Sequence, residues 1–162
     1  MKDLAKLTYF LGLEVHYRAN GIFVNQHKYI QDLIALASLE DTSIVDTPME
    51  VNVKYKKDEG DLLDDPTLYR CLVGSLICLT TTRPNICYIV HQVSQFMSSP
   101  RHLHLVVVRR IIRYLRGLPT CGLFFRTGCS LQLVAYSDAD SAGCPDTRRS
   151  TTCFFLCFLV ML

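Results

Sequence analysis

Apolar positions along the chain change period several times, and the changes mark out its elements. Thr8 to Arg18 contains Tyr9-Phe10-Leu11-Gly12-Leu13-Glu14-Val15-His16-Tyr17, rich in strand formers, and Ile22-Phe23-Val24 follows after Asn20-Gly21. Asn-Gly between two apolar runs predicts a tight β-hairpin, since both residues accept the positive φ that such a turn needs. From about Gln26 to Ser38 the period becomes helical, with Tyr29, Ile30, Leu33, Ile34 and Ala37 on one face. Glu40 to Asp65 has little periodicity and much charge, with Asp46-Thr47-Pro48 in its middle. A loop of that length is unusual inside a compact domain and is expected to wrap over a neighbouring surface or to be mobile.

Three helices are predicted next. Asp65-Pro66 supplies an N-cap and a first-turn proline for the first, with Leu72, Leu76 and Leu79 on its buried face. The second runs from Pro84 to about Ser98 and buries Ile86, Val90, Val93 and Met97; the third runs from His102 to Arg116, with Gly117 as its stop. Strand-like segments follow at Leu123 to Arg126, at Leu131 to Ser137 and from Ser150 onward. There is no internal repeat. The pattern therefore predicts an α+β fold in four parts. These are a hairpin and helix over 1–38, an acidic linker over 39–65, a helical region over 66–130 and an incomplete β-sheet over 131–162.

Composition sharpens this picture mainly through charge. The chain has 162 residues, room for one domain or one small domain with pieces of others, and its 49% hydrophobic and 20% charged content is that of a globular sequence. A net charge of +2 hides a strongly uneven distribution. Pro66 to Ser137 holds no Asp, Glu or Lys but carries Arg70, Arg83, Arg101, Arg109, Arg110, Arg113, Arg116 and Arg126. Acidic residues crowd instead into Glu40 to Asp65 and into Asp138, Asp140 and Asp146. A long span without carboxylates projects a positive field toward an anionic partner; the alternative is an arginine-rich surface that only keeps the chain soluble.

Eight cysteines without a C-x-x-C spacing point to neither a disulfide framework nor a metal site. Cys71, Cys78 and Cys87 fall inside apolar helical patterns, where cysteine acts as a small hydrophobe. The polar start Met1-Lys2-Asp3-Leu4-Ala5-Lys6 is no secretory signal, so an intracellular, reducing compartment is expected, with no more specific localisation. The apolar run Cys153 to Leu162 is too short to span a bilayer as a helix, and no membrane partner is expected. Its segment from Phe154 to Val160 is an expected aggregation site.

Two constellations carry candidate chemistry. On the third helix Arg109, Arg113 and Arg116 share one face at i, i+4 and i+7, with Arg110 beside them, and guanidinium geometry suits successive phosphates. The competing reading pairs these arginines with the acidic loop. In Tyr136-Ser137-Asp138-Ala139-Asp140 a strand ends in two carboxylates at i and i+2, pointing to one side. Such a pair can begin a Mg²⁺ site, although such pairs are commonplace and composition alone favours a solvated turn. His102 and His104 diverge on their helix, which argues against a shared metal ion, and His16, His27 and His91 are isolated.

Taken in order, the pieces resemble the Pol polyprotein of copia-type LTR retrotransposons. The resemblance is carried by Met1-Lys2-Asp3-Leu4 with Tyr9-Phe10-Leu11-Gly12-Leu13-Glu14-Val15, by Gly21-Ile22-Phe23-Val24-Asn25-Gln26 with Lys28-Tyr29-Ile30, and by Asp46-Thr47-Pro48-Met49. It continues through Tyr69-Arg70 with Leu72-Val73-Gly74-Ser75-Leu76, Thr82-Arg83-Pro84-Asn85-Ile86, Val93-Ser94-Gln95-Phe96-Met97 and Arg113-Tyr114-Leu115-Arg116-Gly117. Tyr136-Ser137-Asp138-Ala139-Asp140 and Arg148-Arg149-Ser150-Thr151-Thr152 complete it.

The resemblance implies that Phe10 to Gln26 is a primer-grip-like hairpin closing a reverse-transcriptase palm, with Gly12 and Leu13 at the nucleic acid. It also implies that Pro66 to Gly117 is thumb- or connection-like, and that Leu131 onward opens a ribonuclease H-like sheet. Asp138 then falls on the family's first metal aspartate, and a parent enzyme would use Mg²⁺ at Asp138 and Asp140. The family's polymerase carboxylates lie upstream and its remaining ribonuclease H acids downstream, and neither set is in this sequence. Ser141 and Cys153 stand where the family usually has Trp and Gly. Hence the expectation is a catalytically incomplete fragment with no cofactor of its own and a vestigial Asp138. At most it binds template–primer nucleic acid, weakly and without sequence preference; the alternatives are an inert remnant, or a piece that completes an enzyme in trans.

Overall fold

The computed structural model describes residues 6–50, 55–57 and 60–128, together with the backbone of two further strands, 131–139 and 152–160. Strands β1 (Tyr9–Phe10), β2 (Leu13–Arg18) and β3 (Gly21–Asn25) lead into helix α1 (His27–Leu36). Helices α2 (Thr67–Leu79), α3 (Cys87–Ser94) and α4 (His102–Gly117) follow, then β4 (Leu123–Arg126), β5 (Leu131–Ala139) and β6 (Thr152–Val160).

The core is helical. Ile30, Leu33, Ile34 and Ala37 from α1 and its end meet Tyr69, Leu72, Val73, Leu76 and Leu79 of α2. Ile89, Val90 and Val93 of α3 and Val107, Val108, Ile111, Ile112 and Leu115 of α4 complete the same cluster. These are the positions that helical periodicity selects, because burying one face of each helix drives the packing. At the start of α2, Asp65 accepts the backbone N–H of Thr67 at 2.8 Å. Hydrogen bonding to the Thr67 side chain, and after it this backbone bond, holds the Asp65 carboxyl below its usual pKa. The second predicted helix is shorter than its apolar pattern: a 3-10 turn over Pro84–Ile86 precedes α3, and turns follow Ser94.

Cys71 and Cys78 are exposed on the outer side of α2, and Cys87 is half-buried, so these cysteines are not core hydrophobes. The core stripe of α2 runs through 69, 72, 73, 76 and 79, which turns positions 71 and 78 outward. Among the described residues no cysteines are joined in a disulfide.

One antiparallel sheet has the order β1-β2-β3-β4. Its hairpin turns differ from the Asn20-Gly21 expectation. Arg18 pairs with Gly21, so the β2–β3 loop is Ala19-Asn20 and Gly21 is already in the strand. Neither loop residue has a positive φ. Gly21 is required for another reason: a Cβ there would strike the Phe125 carbonyl and come within 2.7 Å of the Phe124 ring. The left-handed turn lies one hairpin earlier, where Leu11 (φ 47°) and Gly12 (φ 83°) join Phe10 to its partner Leu13.

Strand β4 pairs with β3 in the register Gly21↔Arg126 to Val24↔Leu123, a long-range pairing. Opposed residues share a face. Leu13, Val15, Ile22, Val24 and Leu123 lie on one face, each half-buried, and none belongs to the helical core. The other face meets the start of α1: Glu14 accepts the Lys28 backbone N–H at 2.7 Å, placing a carboxylate at a helix N-terminus. Strands β5 and β6 form a separate antiparallel pair, from Leu131↔Val160 to Ala139↔Thr152. The mixed helix-and-antiparallel-sheet architecture is thus as expected, with two strands in the C-terminal sheet.

Candidate nucleic-acid interface

The acidic segment does wrap over a neighbour, and the neighbour is α4. Leu39 to Glu50 crosses the second half of α4, and the chain meets the start of that helix again at Tyr55 to Lys57 and at Gly60 to Leu63. At that start His104 is buried and holds three partners. Its Nδ1 accepts the Arg101 backbone N–H at 3.1 Å. Its Nε2 therefore carries the proton and donates to the Lys56 carbonyl at 3.1 Å, while its ring stacks on Phe96 with centroids 3.8 Å apart. His104 is thus a structural residue. The sequence signal was its position three residues into the helix, where it caps the first turn.

Three of the four candidate arginines hold this strap. Arg113 donates through Nε to the Ser43 carbonyl at 2.7 Å and through Nη2 to the Ser43 hydroxyl at 2.6 Å. Arg116 donates to the carbonyls of Leu39, at 3.4 Å, and Thr42. Arg110 pairs with Glu50 at 2.9 Å and reaches the Thr47 hydroxyl at 3.2 Å. Arg109 is exposed. The acceptors are therefore mostly carbonyls and hydroxyls, not the carboxylates that the charge pattern suggested. Gly117 closes α4 without a positive φ; it makes room for Ile44, since a Cβ at 117 would lie 2.5 Å from Ile44 Cγ2. Between strap and helix runs a cleft of about 430 Å³, lined by Leu39, Tyr55, Leu103 and Val107 with Arg109, Arg110 and Arg113. Burial, reinforced by the Glu50 carboxylate, raises the Tyr55 phenol above its usual pKa of 10.0, and Arg110 opposes the shift.

The hairpin sheet is the second surface. Gly12 sits in the β1–β2 turn and Leu13 opens β2, half-buried. The tip itself is Leu11, 83% exposed, between Phe10 at 53% and the turn glycine. On the face shared with His16, Arg18 and Arg126 both stand opposite Gly21, exposed, with the exposed Phe124 next to them. Arg18 also packs over the Phe23 ring at 5.3 Å. Alternation along β2 and β4 carries a signal for this pairing of cations and aromatics. The sheet order that joins the two strands does not appear in the local pattern.

A buried polar node ties these surfaces to the core. Arg83, 3% exposed, donates to the carbonyls of Leu118 at 2.6 Å and Pro119 at 3.2 Å, just past α4. Beside it Thr82 donates to Gln26 at 2.7 Å. The site expected at the C-terminal strands lies mostly outside the described residues. The backbone of Asp138 pairs with Cys153 within β5–β6, and Asp140 lies beyond the strand, among the residues not described. Among the described residues no three metal-ligating side chains converge, and no helix is long and apolar enough to cross a membrane.

Comparison with known proteins finds relatives over nearly the whole chain. It is 45% identical over 151 residues to the retrovirus-related Pol polyprotein from transposon RE1 of Arabidopsis thaliana, and 41% identical over 151 residues to that from transposon RE2 of the same plant. Each match covers 93% of this chain and 10% of the relative. An uncharacterized mitochondrial protein of Arabidopsis thaliana is 44% identical over 84 residues, 52% of this chain and 74% of that protein. No protein-family model matches, and no solved structure matches.

Proposed function

Because this chain belongs to the Pol polyproteins of copia-type LTR retrotransposons, we propose that it grips template–primer nucleic acid without sequence preference and catalyses no reaction alone. It spans about a tenth of the two plant Pol polyproteins, and this reading leaves polymerase and ribonuclease H chemistry to a longer assembly.

The observation that carries the binding reading is the hairpin tip. Leu11 is held in the left-handed region, which costs a non-glycine residue about 1 kcal/mol or more, and it is exposed rather than packed. A strained apolar side chain projecting to solvent stabilises nothing within the chain; against sugar and base edges it gains contact area. Arg18 and Arg126 supply phosphate contacts, and Phe124 and His16 supply flat faces for stacking, the combination used on single strands and duplex ends. Arg109 is open to phosphate as the fold stands, and Arg110, Arg113 and Arg116 become available when the strap lifts. Gly12 permits the turn that presents the tip and Leu13 supports it. The ribonuclease H-like role of the C-terminal strands, with Asp138 as a vestigial metal aspartate, is the part of this reading that rests on the family resemblance.

Fluorescence anisotropy with a recessed RNA–DNA duplex tests it. Leu11→Gly relieves the strained φ, so stability rises by up to about 1 kcal/mol, while affinity falls by about fivefold. Arg18→Ala/Arg126→Ala lowers the slope of log affinity against log salt by about 1 to 2. Stability rising in Leu11→Gly with affinity unchanged would reduce the tip to a tolerated irregularity. A second reading, an inert remnant, is favoured by the engagement of Arg110, Arg113 and Arg116 with the strap. A folded chain that binds no duplex at low salt establishes that reading instead.

A further inference from the structure

The strap arginines use their guanidinium edges unequally. At Arg113 the edge formed by Nε and Nη2 is fully used, one nitrogen on the Ser43 carbonyl and the other on its hydroxyl. At Arg110 the same edge is half used: Nη2 reaches the Thr47 hydroxyl at 3.2 Å, while Nε is buried with no acceptor among the described residues. A buried donor left without a partner is costly, and side-on pairing of guanidinium with a group bearing several oxygens is its natural remedy. Thr47 is exposed, lies in a segment with neither helix nor strand, and is followed by Pro48. Arg109 and Arg113 line the same cleft as Arg110, so three cations share it with the single carboxylate of Glu50.

We propose that Thr47 is a phosphorylation site whose phosphate is captured by the Nε–Nη2 edge of Arg110. A proline-directed protein kinase transfers the γ-phosphoryl group of ATP. The bond from phosphorus to Thr47 Oγ1 forms, the bond from phosphorus to the departing ADP oxygen breaks, and the hydroxyl proton passes to the kinase's base. The ester brings three acceptor oxygens and a charge of about −2 to an edge of Arg110 whose Nε has no acceptor among the described residues. The strap is then bound more tightly to α4, and the arginines beneath it are withheld from other polyanions. That last consequence rests on the nucleic-acid reading above; capture of the phosphate by Arg110 does not.

The test uses the full chain, treated with ATP, Mg²⁺ and a proline-directed kinase, with the site located by mass spectrometry and by its loss in Thr47→Val. Phosphorus NMR then follows the second ionisation of the phosphothreonine. Native protein should titrate at least about half a unit below the same chain unfolded in urea, and Arg110→Lys should remove most of the difference. Duplex affinity should fall by about fivefold or more on phosphorylation. Failure of the folded chain to accept phosphate at Thr47, or equal titration in native and unfolded chain, overturns the proposal. Because the native-versus-unfolded comparison needs no variant, it decides the matter even if Arg110→Lys fails to fold. A chain that binds no duplex in either state overturns the function proposed above and leaves the titration to decide this one.

Discussion

Replacing Gly117 by alanine sets two known effects against each other. Gly117 is the last residue of α4 and its φ is ordinary, so alanine there is expected to gain up to about 1 kcal/mol of helix stability. The new methyl, however, would stand 2.5 Å from Ile44 Cγ2, where ordinary contact begins at 3.4 Å, a shortfall of 3.4 − 2.5 = 0.9 Å. Ile44 is β-branched and stiff at χ1, so the strap must shift as a piece. Overpacking of this kind costs about 1–3 kcal/mol, and the expected net change is a loss of about 1 kcal/mol. Ile44→Ala removes the obstruction, because the Ile44 Cβ itself would lie an ordinary 3.9 Å away. Gly117→Ala should therefore stabilise the Ile44→Ala protein by up to about 1 kcal/mol, giving a coupling of about 1–3 kcal/mol between the two sites. Urea denaturation of the four proteins measures the cycle. Equal stabilisation by Gly117→Ala in both backgrounds would show that Ile44 does not rest on α4, and the account of the strap would fall with it.

Two further outcomes follow from the buried polar groups. The fully buried Tyr69 hydroxyl donates to the Val93 carbonyl at 2.6 Å, and burial raises its pKa far above the usual 10.0. Since the folded value is raised, the contribution is fully present below pH 10 and lost as pH climbs above it. Tyr69→Phe should cost about 1–2 kcal/mol at neutral pH, and stability measured by urea titration should fall less steeply above pH 10 than in the native chain; equal slopes would refute the assignment. His104→Ala removes the helix cap, the bond to the Lys56 carbonyl and the stack on Phe96 together, so a loss of about 2–4 kcal/mol is expected by thermal unfolding. A loss below about 0.5 kcal/mol would mean that the returning segment is not anchored there.

Helical periodicity was a sound guide to α1, α2 and α4, because each buries a stripe of apolar side chains and the stripe is written in local spacing. The length and weak periodicity of Glu40 to Asp65 left two outcomes, a segment that wraps over a neighbouring surface or a mobile one. The uneven charge pointed to an anionic partner for the arginines, with the acidic loop as the competing reading, and the order of motifs revealed the family. None of this required tertiary information, since periodicity is written in local spacing and the charge distribution and motif order are read along the chain.

What the local pattern could not decide was pairing. The fate of the arginines depended on which acceptors the folded strap presents, and these proved to be the Ser43, Leu39 and Thr42 carbonyls as much as any carboxylate; every residue carries a carbonyl, so sequence cannot single one out. Gly21 and Gly117 looked like turn and stop signals, yet each is needed for the close approach of a distant segment, β4 in one case and Ile44 in the other. Likewise Arg18 and Arg126 became one cationic face only when β3 brought together strands separated by most of the described chain. Local spacing selects the elements because burial acts on neighbouring turns; long-range packing decides which surfaces remain open, because that depends on partners no local window contains.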